Sequence, residues 1–421
     1  MIKEKNKQLV FVGVPPKERI LPTGQAGGDK PLVFVGVSGG VDSSVSLALL
    51  KDAGYDVVGV FIRTWTPNFI ECTWRDERRD AMRVCAHLDV PFLECDAEEA
   101  YKKGVADYMI DEYKKGNVPN PDVMCNREVK FGIFWQFAKE RGADFIATGH
   151  YVQNMYNFSE KYLSKPTRSL LRRPRLVLDA SLSREVLLTT PSFAPAEAMK
   201  DNFLMRSPDP SKDQSYFLWT LTQEDLAHTL FPIGYLHKTE VRKLAEKYKL
   251  PTATKKDSQG VCFLGPLDMK DFLKHYIESK SGDVVDTNGK VIGNHDGAIF
   301  FTLGERHGFN ITEKGTTDEP YYVVAKNIEK NILIVSHNKN EYQKNNNEIE
   351  LEKVVTRGEL GIGKKYTAQI RYHGENLPII IVSHTKDKLT IKFEKSDPTA
   401  SSGQSVVIYD GDICLAGGVI V

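Results

Sequence analysis

Cysteine is scarce in this chain, with six in 421 residues and no Cys-x-x-Cys pair. The scarcity argues against a disulfide framework and for a reducing compartment in which single thiols react. It also lowers the expectation of a zinc or iron–sulfur site, so no metal ligands are assigned. Net charge is missing too: Lys plus Arg and Asp plus Glu each number 56. The molecule as a whole therefore attracts no polyanion, and any nucleic-acid surface has to be a local patch. No run approaches the roughly 18 apolar residues of a membrane span, so no membrane contact is expected. The opening stretch MIKEKNKQLVFVGVPPKERI has too short an apolar run for a secretory signal and carries acidic residues that a transit peptide lacks. Cytoplasm is the expected location.

Two common nucleotide signatures are also absent: the glycine-rich loop ending in Gly-Lys-Ser/Thr, and Gly-x-Gly-x-x-Gly. What stands instead is VFVGVSGGVDSSVSLALL, Val33 to Leu50. The run Leu32 to Val37 is β-branched and uninterrupted, as in a strand buried on both faces of a parallel sheet. Ser38, Gly39, Gly40 and Val41 then form a turn, with Asp42 or Ser43 as the cap of an apolar helix. Glycine lets the backbone approach a ligand, and free N–H groups at a helix start suit a phosphate. SGGVDSS resembles the loop of the ATP pyrophosphatases, which split ATP between its α and β phosphates and form adenylated intermediates.

The first 30 residues, rich in Pro, Gly and charge, read as an N-terminal extension, and LVFVGV occurs in it once more at Leu9 to Val14. Alternating strands and helices over 31–228 predict an α/β, doubly wound parallel-sheet domain. Its strands fall near Val57–Ile62, Pro91–Glu94 and Phe145–Thr148, and its helices near Asp76–Leu88, Ala97–Lys114 and Lys130–Arg141. Ligands in such sheets sit beyond the carboxyl ends of the strands, which gathers Ser38–Ser43, the segment after Ile62, and ATGHY (Ala147 to Tyr151) around one crevice. The pattern fails over about 157–210, read as an insertion carrying Arg168, Arg172, Arg173, Arg175 and Arg184. A small central unit is expected over 229–297, with Leu226 to Tyr248 helical apart from a break. The short alternating strands that follow predict a C-terminal β-barrel over 298–421.

Two thiols stand out. Cys125 lies in NPDVMCNREVKFG, near a helix expected to begin at Arg127, where a thiolate would be electrostatically favoured. Asp122 is placed to move a proton. Cys262 lies in KKDSQGVCFLG, a loop behind Lys255 and Lys256. Cys85 and Cys414 read as packing, and Cys72 as a cap or cleft residue.

Six blocks, SGGVDSS, NPDVMCN, ATGHY, KDQSYFL, FPIGYLHKTEVRKLA and KKDSQGVCFLG, occur in the order found in the tRNA-specific 2-thiouridylases. The chain resembles that family over Val33 to Val421 apart from a segment around Pro174 to Met205. The resemblance implies a PP-loop ATPase domain that binds ATP, with Mg²⁺, through Gly36, Val37, Ser38, Gly39, Gly40, Val41, Asp42, Ser43, Ile62 and Gly149. It implies that Cys262 carries a persulfide, that Cys125 attacks it, and that Asp122 is the acid or base. Asn120, Pro121 and Asp122 then meet the target base, while His150, Lys212, Asp213, Gln214, Arg371, Tyr372 and Gln404 face tRNA. Further partners implied are a sulfur-carrier protein or cysteine desulfurase relay and a thiol reductant, with a monomeric enzyme. One departure is Ser402 where the family has Pro before Gly-Gln, which predicts a looser Gln404. Two rival readings share the first motif: a small-molecule ATP pyrophosphatase synthetase, and a non-catalytic RNA-binding module.

Overall fold

The computed structural model describes residues 30–70, 74–155, 202–257, 268–312, 319–338, 341, 347–394 and 400–421. The Leu9–Val14 repeat, Cys72, Cys262 and the five arginines of the insertion lie outside the described residues.

Apolar runs form the central sheet. Strand β1 (Leu32–Gly36) pairs in parallel with β2 (Asp56–Arg63) and β4 (Phe145–Ala147). Strand β3 (Phe92–Asp96) lies outside β2, and the order is completed by β7 (Thr229–Leu230) beside β4. Leu32, Val33, Phe34 and Val35 are all 0% exposed, each stabilising the fold by about 1.5–3 kcal/mol through burial. Alternate side chains enter different cores. Val33 and Val35 pack with Leu47 of helix α1 (Val41–Asp52) and with Ala81 and Val84 of helix α2 (Trp74–His87), while Leu32 and Phe34 join Phe131 and Phe134 on the other face. Helices thus cover both faces, as the alternation predicts.

The expected helical reading of Leu226 to Tyr248 is interrupted by β7 and the turns after it, and a helix returns at Lys238–Lys247. That helix packs Val241 and Ala245 against Val41 and Val45 of α1. The strands after Gly282 divide between two sheets. The first contains β8 (Gly282–Val285), β9 (Val291–His295), β10 (Phe309–Ile311), β11 (Tyr322–Asn327) and β12 (Ile332–Ser336), in the order β10-β9-β8-β12-β11. The second is a closed six-stranded barrel of β13 (Glu348–Thr356), β14 (Lys365–Gln369), β15 (Leu377–His384), β16 (Lys388–Phe393), β17 (Ser405–Asp410) and β18 (Ile413–Ile420), shut by β13 pairing with both β16 and β18.

The stretch read as patternless ends in a strand: β6 (Phe203–Arg206) pairs with β5 (Val152–Met155) and with barrel strand β18. A continuous backbone ladder therefore joins the barrel to the chain leaving ATGHY. Arg357, 2% exposed, locks the same junction by donating to the carbonyls of Trp219, Leu221 and Cys414.

Candidate active site

Backbone, more than side chain, shapes the loop after β1. Gly39 has φ +71°, and a Cβ built on it would lie 2.5 Å from the Glu77 carbonyl oxygen. Gly40, not Asp42 or Ser43, occupies the cap position of α1, with no side-chain cap. Ser43 instead folds back, its Oγ accepting from the Ser38 N–H at 3.2 Å. Gly149 seats the ATGHY turn on the first turn of α1, where a Cβ would meet the Ser43 nitrogen at 2.7 Å. Ile62 and Phe134 flank Gly36 at 3.6 Å from a Cβ built there. Together these close approaches hold the glycine turn, the ATGHY turn and the first turn of α1 against one another beyond the central strand, a placement that suits a phosphate chain.

A charged network closes the mouth of this loop. Asp42 accepts from the Tyr151 hydroxyl at 2.7 Å and from Lys238 at 2.8 Å. Lys238 also reaches Asp257 at 2.9 Å, which further engages Lys212 at 2.9 Å and Arg242 at 2.5 Å. Burial works to raise the Asp257 carboxyl, but Lys212 and Lys238 outweigh it and hold the group below the usual carboxylate range. Lys255 donates to the Gly39 carbonyl at 3.1 Å and to Asp80 at 2.8 Å, which keeps Asp80 low as well. Thr252 bonds Ser44 at 3.1 Å. Residues 252–257, which lead toward Cys262, are thus fastened to the loop. Sequence reasoning assigned no role to Lys238, Arg242 or Asp257, although FPIGYLHKTEVRKLA contains two of them; only tertiary packing brings them to Asp42.

Asn120 caps the helix Pro121–Cys125, its side chain accepting from the N–H groups of Asp122 and Val123 at 3.1 and 3.2 Å. The helix continues into a π-helical stretch, Asn126–Ile133, a geometry often found at functional sites. Cys125 is therefore inside the helix, not at a start near Arg127, so the expected helix-terminus activation does not apply. Arg127 pairs with Glu128 at 2.7 Å. Cys125 is buried in an apolar cluster with Met124, Val129, Phe272 and Leu273. Residues 258–267, with Cys262, lie outside the described residues, but their flanks are informative: Asp257 is tied through Lys238 to Asp42 of the glycine loop, and the helix Met269–Lys274 puts Phe272 and Leu273 into the Cys125 cluster.

A family model described as the tRNA methyl transferase HUP domain matches residues 31–174 and 177–266. Companion models for the tRNA methyl transferase PRC-barrel domain and the aminomethyltransferase beta-barrel domain match 270–337 and 356–420. The tRNA-specific 2-thiouridylase MnmA of Halalkalibacterium halodurans is 37% identical over 92% of this chain and 94% of its own length. The protein of the same name from Listeria monocytogenes is also 37% identical, over 92% and 94%. The chain belongs to the tRNA-specific 2-thiouridylase family. Among solved structures, the U34-tRNA thiolase NcsA from Methanococcus maripaludis is 17% identical, with a TM-score of 0.28, covering 56% of this chain and 63% of that one.

The positions that resemble the family's tRNA contacts differ in what they expose. Asp213 is buried and accepts from the N–H of Ser207 and the hydroxyl of Ser215, organising its own turn. Gln214 accepts from the Tyr151 N–H, and Lys212 is on Asp257. Gln404 is buried, accepting from the Ser401 N–H at 3.0 Å. Its turn is not loosened by Ser402: the Ser402 carbonyl accepts from Val118, and Gly403, at φ +87°, packs where a Cβ would lie 2.8 Å from the Val118 nitrogen. Arg371 donates to Leu303, and Tyr372 is 37% exposed, stacked on His373 beside Phe217. Tyr372, Arg206 and His373 border a cavity of about 380 Å³.

His150 is buried, sharing a hydrogen bond with Thr148 at 2.8 Å and packed by Phe131 and Phe231. Burial, then the charge of Lys130, pushes its pKa well below 6.5. A base depressed in the folded state stabilises fully above its unfolded value and loses that contribution as pH falls. Unfolding free energy should therefore drop below pH 6.5 by up to about 1.4 kcal/mol per pH unit. Denaturant titrations across pH 5–7 check this, with His150→Asn expected to flatten the dependence.

Proposed function

We propose that the protein performs ATP-dependent 2-thiolation of the wobble uridine of tRNA in the cytoplasm, as a monomer. The observation that supports this reading concerns the residues on either side of 258–267: Lys255 and Asp257 are held at the glycine loop, and Phe272 and Leu273 pack in the cluster that holds Cys125. No described helix is long and apolar enough to cross a membrane.

The Gly39 and Gly149 cradle, which a Cβ would fill, fits the phosphates of ATP. The described residues contain no group of three His, Cys, Asp or Glu side chains that could hold a metal ion, so Mg²⁺ would arrive on the phosphates. In this reading the uracil O2 attacks the α-phosphorus and pyrophosphate leaves. Amides at the start of α1 hold the phosphates, and Asp122 handles the proton at the base. A carrier protein or desulfurase relay loads Cys262 as a persulfide. Cys125 attacks the Cys262 sulfur, the terminal sulfur leaves as sulfide and adds at C2, and AMP departs. The two thiols end as a disulfide, which a thiol reductant reopens with two electrons. Tyr372, Arg206 and the cavity beside them would serve the RNA.

Mass spectrometry of tRNA from cells lacking the protein should show wobble 2-thiouridine lost and restored by the intact chain. Unchanged thiolation in those cells would remove the function and leave the fold standing.

A further inference from the structure

The helix that bears Cys125 has two working faces. Asn120, Val123, Met124 and Arg127 recur at three- and four-residue spacings and share one face, while Asp122 and Cys125 lie on the opposite one. The first face does not pack solidly. With Trp219 and the barrel residue Lys353 it borders a cavity of about 220 Å³. One observation points to a missing occupant. Lys353 has φ +53°, a conformation costly for a residue with a side chain, where the β13–β18 register breaks between Glu352 and Val355. Bulges of this kind re-aim side chains at functional sites. Its ammonium stands 5.3 Å over the Tyr108 ring, at the cavity.

We propose that this cavity takes a nucleotide flanking the modified uridine. Its base would lie over Met124 at the edge of Trp219, and its phosphate near Lys353 and Arg127. The inference rests on the RNA reading above. An apolar wall with Lys353 at its rim, and Arg127 that a phosphate would draw from Glu128, suits a base with its phosphate, whereas a neutral peptide tail would need no cation. A helix is about 10 Å across, so an extended RNA strand can have one base on the Cys125 side and a neighbour on this one.

Lys353→Gly tests it with little risk to the fold, because glycine suits φ +53° and the change removes only the charged arm. Binding of an anticodon stem–loop RNA to the full chain, measured over a salt series, should weaken about five- to tenfold, with the log K against log salt slope shallower by about 0.7. Thermal unfolding should stay at or above wild type, and Lys353→Arg should recover most of the affinity. Trp219→Phe should lose the RNA-dependent change in intrinsic fluorescence. If wild type binds the RNA and Lys353→Gly matches it in affinity and slope, the inference falls and the RNA reading stands; a cavity occupied by a protein tail would give that result. If wild type binds no RNA, both fall.

Discussion

Replacing Gly39 with alanine should weaken ATP binding by about a hundredfold, equivalent to about 2.7 kcal/mol, while leaving a folded protein. The reason is steric and local. At φ +71° a side chain costs about 1–2 kcal/mol, and here the added carbon would also lie 2.5 Å from the Glu77 carbonyl and 2.9 Å from Asp80 Cβ. Both neighbours belong to α2, whose Ala81 and Val84 are buried against the sheet, so the helix cannot yield. The loop must yield instead, and its amides leave the line that faces a phosphate. Lys255 would lose its grip as well, since it bonds the Gly39 carbonyl. Gly54→Ala is the control: φ is +87° and nothing lies within 4 Å of the added carbon, so stability drops modestly and ATP affinity holds. Calorimetric titration with a non-hydrolysable ATP analogue reads both. Equal affinity in Gly39→Ala and wild type would show that this loop does not hold the phosphates.

What the sequence disclosed follows the range of the forces involved. Strand, glycine turn and helix over residues 32–52 are set by near neighbours, and their pattern is legible without a partner. The barrel strands alternate in the same local way. Strand β6 was not legible, because it has only four residues and exists by pairing with β5, about fifty positions earlier, and with β18. The charged mouth of the loop escaped for the same reason: Asp42 meets Lys238 across 196 positions, and no periodicity encodes that meeting. Motif resemblance carried positions but not exposure. Asp213, Gln214 and Gln404 occupy the expected places, yet their polar groups bind their own chain, so they shape the surface around Tyr372 and Arg371.

Cys125→Ser and Cys262→Ser should each cut 2-thiouridine formation by about a thousandfold or more, while RNA-stimulated exchange of pyrophosphate into ATP continues. The separation follows from the chemistry: activation of the carbonyl needs the glycine loop and Asp122 but neither thiol, whereas delivery of sulfur needs one thiol to carry it and another to displace it. Wild-type enzyme loaded with persulfide and given RNA, ATP and no reductant should accumulate a Cys125–Cys262 disulfide, seen by peptide mass mapping and absent from both variants. Cys85→Ser and Cys95→Ser serve as comparisons, because both thiols are buried in the α/β cores and burial pushes each up to about 12. Burial disfavours the thiolate of both, and neither belongs to the cluster that holds Cys125. Their replacement should cost stability but not sulfur transfer. Thiolation by Cys125→Ser within tenfold of wild type would mean that sulfur reaches the base without a second thiol, and the persulfide itself would have to be the attacking group.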